Sequence, residues 1–180
     1  MSCAKVTSLA CWLALAAAAC GGDVGEPTAT SNDQSAQAFD RIGGVPLGGA
    51  CATSYELTDL VLVNEKDLLS ATYHDQGDCR LSHLGAATLS NSGSIDFSTV
   101  PAQGTGTFSL VAANGDRLDG TERIAYDVPD ENGLFGFSGI RTITGGTGRF
   151  AEAHGAVSIT GIGSTEANTT QQNLSGHIVY

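Results

Sequence analysis

Three residues on two neighbouring strand-like segments have side chains that could do acid–base or electrostatic chemistry. Alternate side chains of a strand share a face, so Glu122 and Tyr126 lie on the more apolar face of Arg117–Val128. The same alternation places Arg141 in line with the phenylalanines of Phe135–Thr144. A carboxylate in an apolar interior has a raised pKa and can act as a general acid or base, with an arginine as its partner. The plainer interpretation, which we prefer on the sequence, is that these charges are solvated at the rim of a barrel.

These residues require strands to position them, and the chain after residue 45 is β-rich. Candidate strands recur at short intervals with Gly, Asn, Asp or Pro between them, which is typical of a sandwich or barrel. The dipeptide Asn114-Gly115 predicts a type I′ hairpin turn, because both residues tolerate positive φ. The nine candidate strands are Tyr55–Val63, Leu68–His74, Arg80–Leu89, Ser94–Phe97, Gly106–Ala113, Arg117–Val128, Phe135–Thr144, Ala156–Gly163 and Asn173–Tyr180.

A glycine-rich turn, Gly145–Gly148, superficially resembles a nucleotide-binding loop. No lysine follows its last glycine, as a P-loop requires. A dinucleotide-binding turn must open a helix, whereas strand-like residues resume after Gly155. We therefore predict a connection between two strands and no cofactor. No metal site is predicted either, because neither the cysteines nor the histidines have ligand spacing.

The N-terminal sequence has the features of an export signal. One cation, Lys5, precedes an apolar stretch that is too short to span a bilayer. The run Ala17-Ala18-Ala19-Cys20 resembles a bacterial lipobox, which predicts a signal peptide over residues 1–19 and a lipid on Cys20. Ordinary signal cleavage nearby is the alternative. The protein is then an outer-membrane lipoprotein or, alternatively, a secreted or periplasmic protein.

The mature chain is expected to be a tether followed by one domain. Residues 20–44 are polar and small, so we predict a flexible tether there and a β domain over 45–180. Two cysteines remain in that domain, Cys51 and Cys79. In an oxidising compartment this pair predicts a structural disulfide.

The charge balance excludes one class of partner. After Cys20, seven Lys and Arg residues stand against nineteen acidic residues, a formal net charge of −12. Nucleic acids and anionic lipid surfaces bind cationic patches, and no Lys/Arg cluster exists in the sequence. We expect no nucleic-acid partner and contact with a membrane only through the lipid anchor.

Several motifs resemble the allene oxide cyclase/dirigent-like β-barrel superfamily, in particular its exported bacterial members. They are ANGDRLDG at Ala113–Gly120, TITGGTGRF at Thr142–Phe150, and SGHIVY at Ser175–Tyr180. The resemblance covers roughly Tyr55–Tyr180. It implies an all-β fold, a single antiparallel eight-stranded barrel with an apolar lumen, which the plant members use to steer a reactive intermediate. At the position where dirigent proteins typically have an arginine, this sequence has His154. The alternation of side chains along its strand predicts that His154 is exposed to solvent.

Three functions remain open on these observations. The first is a non-enzymatic exported barrel that binds a small apolar ligand in its lumen. The second is a cyclase or isomerase in which Glu122, Tyr126 and Arg141 supply electrostatics. The third is a surface or adhesion module with a solid core, in which Phe108, Phe137 and their neighbours fill the lumen.

Overall fold

Eight antiparallel strands form a closed barrel in the computed structural model, which describes residues 43–63 and 67–180. The barrel closes where the first strand pairs with the last. The predicted signal peptide, Cys20 and nearly all of the predicted tether lie outside the described residues. The strands are β1 (Val45–Val63), β2 (Asp67–Leu81), β3 (Gly85–Asp96), β4 (Ala102–Ala112), β5 (Arg117–Tyr126), β6 (Leu134–Thr147), β7 (His154–Ser164) and β8 (Thr169–Val179).

Side chains alternate between lumen and solvent along the strands, as strand geometry requires. On β5 the residues from Leu118 to Ile124 alternate buried and outward-facing, and Glu122 falls on the buried set. On β6 the same holds for Phe137, Arg141 and Ile143. The predicted faces of both strands are therefore confirmed.

Nine candidate strands were expected, and the described residues form eight. The candidate Arg80–Leu89 spans the turn at 82–84. The candidate Ser94–Phe97 overlaps the end of β3, which stops at Asp96, and is not a separate strand. Strand β2 continues through the polar run at 74–78. Alternate residues of this run face solvent, and its backbone is hydrogen-bonded to β1 on one side and to β3 on the other. Strand β1 begins at Val45, ten residues before its candidate, in a stretch that pairs with β8.

The turn at Asn114-Gly115 is not type I′. Of these two residues only Gly115 has positive φ, at 88°. The Gly115 N–H donates to the Ala112 carbonyl, and the Ala112 N–H donates to the Asp116 carbonyl, both at 2.9 Å. This is a three-residue hairpin loop, in which a type I turn is followed by a glycine in the left-handed region.

The glycine-rich segment closes one end of the barrel. A 3₁₀ helix, Gly148–Phe150, follows β6 and leads to β7. Phe150 is fully buried there and meets the Tyr180 ring edge-on at 4.8 Å. Around it the lumen is packed solid with leucine, isoleucine, phenylalanine and valine side chains, so this end holds the main hydrophobic core.

The predicted disulfide is present at the buried face of β1 and β2. Cys51 and Cys79 are directly opposite each other in the ladder, with 4.0 Å between their Cα atoms. Both are almost fully buried. The bond links two neighbouring strands near the point where β1 also pairs with β8.

Candidate functional site

The opposite end of the barrel is open and contains a pocket of about 270 Å³. The loops after β3, β5 and β7 surround it, and its walls are mostly apolar. The lumen is therefore divided into a packed half and a hollow half. The residues that line the pocket are Tyr55, Leu57, Tyr73, Asp75, Ile95, Phe97, Thr99, Val100, Ala102, Tyr126, Asp127, Val128, Pro129, Phe135, Thr165 and Thr170.

Aromatic rings from three strands form one continuous wall of this pocket. Phe135 lies 6.2 Å from Tyr55 and 6.3 Å from Tyr126, measured between ring centroids. The Tyr55 hydroxyl donates to the Ser164 carbonyl at 3.2 Å, which holds that ring against β7. These distances lie in the range of favourable aromatic pairs, so the wall is preorganised.

The polar network below the pocket lies in one row of paired residues that runs across strands β2 to β6. Tyr73 on β2 pairs with Gly93, Gly93 with Gly106, Gly106 with Glu122, and Glu122 with Arg141. The two glycines leave space for the Tyr73 ring: a Cβ at Gly93 would lie 2.8 Å from its Cε1. The phenol therefore lies across β3 and β4 and reaches the carboxylate on β5.

Glu122 and Arg141 form a buried ion pair in this network. The Arg141 Nε donates to Glu122 Oε2 at 2.8 Å, and the Tyr73 hydroxyl donates to Glu122 Oε1 at 2.6 Å. The side chains of the pair are 0–1% exposed. The Arg141 guanidinium also lies 5.3 Å from the Phe108 ring centroid. The expectation that these charges are solvated at a rim is wrong, because the register turns both into the lumen.

The three sequence candidates separate in space. Tyr126 lines the pocket, whereas Glu122 and Arg141 lie outside its lining. Both carboxylate oxygens of Glu122 already accept hydrogen bonds from protein groups. Of the network's three members, only Tyr73 is part of the pocket wall. Glu122 and Arg141 are thus suited to hold Tyr73 in place rather than to touch a bound molecule.

The tyrosines of the pocket remain neutral phenols. Burial raises the pKa of Tyr73, and the adjacent Glu122 carboxylate raises it further. Burial also raises the pKa of Tyr126, with a smaller contribution from Glu122. Neither ring is therefore a source of phenolate at neutral pH.

Sequence reasoning missed Asp75, the more buried of the two carboxylates that line the pocket. Its Oδ2 accepts from Asn91 Nδ2 at 3.3 Å, while its Oδ1 is buried with no hydrogen-bond partner. Burial raises the pKa of Asp75, and the nearby Thr53 hydroxyl and Arg141 guanidinium oppose part of that shift. The available signal was alternation: Asp75 lies two residues from Tyr73, on the face opposite to the exposed His74.

A polar belt around Asp75 forms the floor of the pocket. Thr53 and Thr170 share a hydrogen bond of 2.7 Å between their hydroxyl oxygens. Asn91 is 5% exposed, and its Oδ1 is another buried acceptor without a partner. Of the four residues of this belt, Asp75 and Thr170 belong to the pocket lining, so they are the polar groups that a bound molecule meets at the floor.

The glycine-rich turn and His154 lie at the packed end, away from the pocket. The turn is a strand connection, as predicted, and the helix that follows Thr147 has only three residues. His154 is exposed on β7, as its alternation predicts. Neither contributes to the hollow half of the lumen.

Residues 43–63 and 67–180 contain no group of three His, Cys, Asp or Glu side chains arranged to hold a metal ion. Over the same ranges, none of the helical structure has the length and hydropathy needed to cross a membrane.

Comparison with known proteins does not place the chain in a family. No family model matches the sequence, and neither the curated proteins nor the solved structures give a significant match.

Proposed function

We propose that this protein is an exported, lipid-anchored barrel that binds a small apolar ligand in the open half of its lumen. The observation that carries the proposal is the pocket itself: about 270 Å³, lined mainly by aromatic and aliphatic side chains. Ligand sites are typically concave and apolar, with a few polar groups that fix orientation. An apolar cavity of roughly 150 Å³ accommodates benzene, so this one has room for a larger aromatic or a short branched molecule.

The division of the lumen supports binding over a purely structural role. A surface module needs only a solid core, and the packed half with Phe150 and its neighbours already provides one. In the hollow half, by contrast, Tyr126 and Phe135 line the pocket. Its rim is also apolar, since Val100 and Val128 line the mouth and are 82% and 68% exposed.

We further propose kinship with the exported bacterial allene oxide cyclase/dirigent-like barrels. The supporting observations are the motif residues at Ala113–Gly120 and Thr142–Phe150 and a closed eight-stranded antiparallel barrel. From the lipobox-like sequence we also propose that Cys20 is lipidated and that the protein is located at the outer membrane. In a membrane fractionation, Cys20→Ser should leave the membrane fraction, and retention at the unmodified level would count against the anchor.

A cyclase or isomerase is the second candidate, favoured by Asp75. A carboxyl with a raised pKa inside an apolar pocket can move a proton to or from a bound molecule. The rigid aromatic wall would hold a reactive substrate in one conformation. Glu122 and Arg141 would then act through the Tyr73 ring rather than on the substrate.

Native mass spectrometry of the purified protein tests the binding proposal. The expected result is a co-purified small molecule, or uptake of an added neutral aromatic such as tert-butylbenzene. Ala102→Phe is the control, because Ala102 is buried and lines the pocket, so a phenyl ring there occupies the space. Absence of any bound species, or equal binding by the filled variant, would overturn the proposal.

A further inference from the structure

The charge of the pocket identifies a class of ligand. Two carboxylates, Asp75 and Asp127, line it, and none of the described lining residues is Lys, Arg or His. Asp127 is exposed at the mouth, whereas Asp75 is partly buried at the floor. The pocket is therefore apolar in area and negative in charge.

Among the described residues, no cation forms a salt bridge with the Asp75 carboxylate. The nearest buried cation, Arg141, is hydrogen-bonded to Glu122 at 2.8 Å. With all three groups ionised, the interior carries one net negative charge, which the Asn91 amide and the nearby Thr53 hydroxyl offset only in part. A partly buried charge without an ionic partner is costly, so a cation in the pocket would stabilise it.

Aromatic faces surround the same space. Tyr55, Tyr126 and Phe135 form the wall, and the Tyr73 ring lies over Gly93 and is part of the pocket lining. The negative face of an aromatic ring attracts alkylammonium groups, and several rings around one carboxylate make a cage for them. The whole chain, with a formal net charge of −11, also attracts cations and repels anions.

We propose that the pocket binds an organic cation, an amine or quaternary ammonium with an apolar body, whose charged end lies between Asp75 and the tyrosine rings. This inference rests on the proposed ligand-binding function and names the chemistry of the ligand. The ammonium group lies against the Asp75 carboxylate and the rings of Tyr73 and Tyr126, three side chains that line the pocket. The apolar body fills the space toward Ile95, Phe97 and Phe135.

Two isosteric probes test this proposal with the full protein. Phenyltrimethylammonium and tert-butylbenzene have nearly the same shape and differ by one positive charge. Isothermal titration or ligand-observed NMR gives the dissociation constant of each. We expect the cation to bind more tightly, and Asp75→Asn to weaken it about tenfold while changing the affinity for tert-butylbenzene by less than about twofold.

The matched control is Asp78→Asn. Asp78 is on the same strand but faces solvent, outside the lining of the pocket. This substitution removes the same charge from the chain, and we expect less than about a twofold effect on either probe. A similar loss in both variants would show a general charge effect and would overturn the assignment to Asp75.

The remaining outcomes separate the two proposals. If tert-butylbenzene binds and the cation binds equally or less well, the cation inference is overturned and the apolar-pocket function stands. If neither probe binds, the proposed function fails, and the inference fails with it. The comparison on the unmodified protein decides this even if Asp75→Asn does not fold.

Discussion

Removing the Glu122 carboxylate should be among the most damaging single changes in the barrel. In Glu122→Gln the amide keeps the shape of the side chain, but Arg141 is left charged in an interior where its side chain is 1% exposed. Breaking a buried pair in this way costs about 3–5 kcal/mol. The Tyr73 hydroxyl also exchanges a charged acceptor for a neutral one, at about 1 kcal/mol. A domain of this size has about 5–15 kcal/mol of stability in total.

Urea denaturation of the purified, disulfide-bonded protein measures this loss. For a slope of roughly 1.5–2 kcal/mol per molar urea, the combined loss should lower the midpoint by about 2–4 M. Adding Arg141→Met to Glu122→Gln removes the stranded charge, so the double variant should be more stable than Glu122→Gln alone. Asp119→Asn on the same strand is the control: it breaks an exposed pair with Arg117 and should cost less than about 1 kcal/mol.

Two results would refute this reasoning. One is a loss below about 1 kcal/mol in Glu122→Gln, which would mean that water reaches the pair. The other is a double variant that is less stable than the single one, which would mean that Arg141 stabilises the barrel independently of Glu122.

Two further changes probe the disulfide and the pocket carboxylate. Replacing Cys51 and Cys79 together with alanine should lower the free energy of unfolding by about 3.5 kcal/mol, because the bond closes a separation of 28 residues. Non-reducing urea denaturation checks this, and a loss below about 1 kcal/mol would contradict the chain-entropy account. Asp75→Asn should raise the melting temperature at neutral pH, and this increase should become smaller on acidification. The reason is that the pKa of Asp75 is raised in the folded protein, so the protein is more stable at low pH, where Asp75 is protonated, and loses that stability as the pH rises through the pKa. Thermal melts of both proteins from about pH 3 to 8 test this. The Glu122–Arg141 pair near Asp75 is common to both proteins, so its own contribution cancels in the comparison. A difference in melting temperature that increases on acidification would contradict the argument.

Local sequence determined much of the barrel. Alternation correctly assigned Glu122 to the more apolar face of β5 and aligned Arg141 with the phenylalanines of β6. Two cysteines in one β domain were sufficient to predict their bond. These predictions need only the period of a strand and a count of residues, both of which the sequence contains.

The remainder depends on which strands pair and in what register. Tyr73 reaches Glu122 only because Gly93 and Gly106 fall in the same ladder row, and no local pattern reports that alignment. The solvated interpretation of Glu122 failed for the same reason. Which end stays hollow depends on Phe150 closing the other, a consequence of tertiary packing after the glycine turn.

The position of a bound probe tests the account most directly. In an NMR experiment on the protein with phenyltrimethylammonium, we predict intermolecular nuclear Overhauser effects from the N-methyl protons to the rings of Tyr73 and Tyr126. The phenyl protons of the probe should contact Phe135. Contacts confined to outward-facing residues, or none under conditions where the probe binds, would contradict a ligand site in the open half of the barrel.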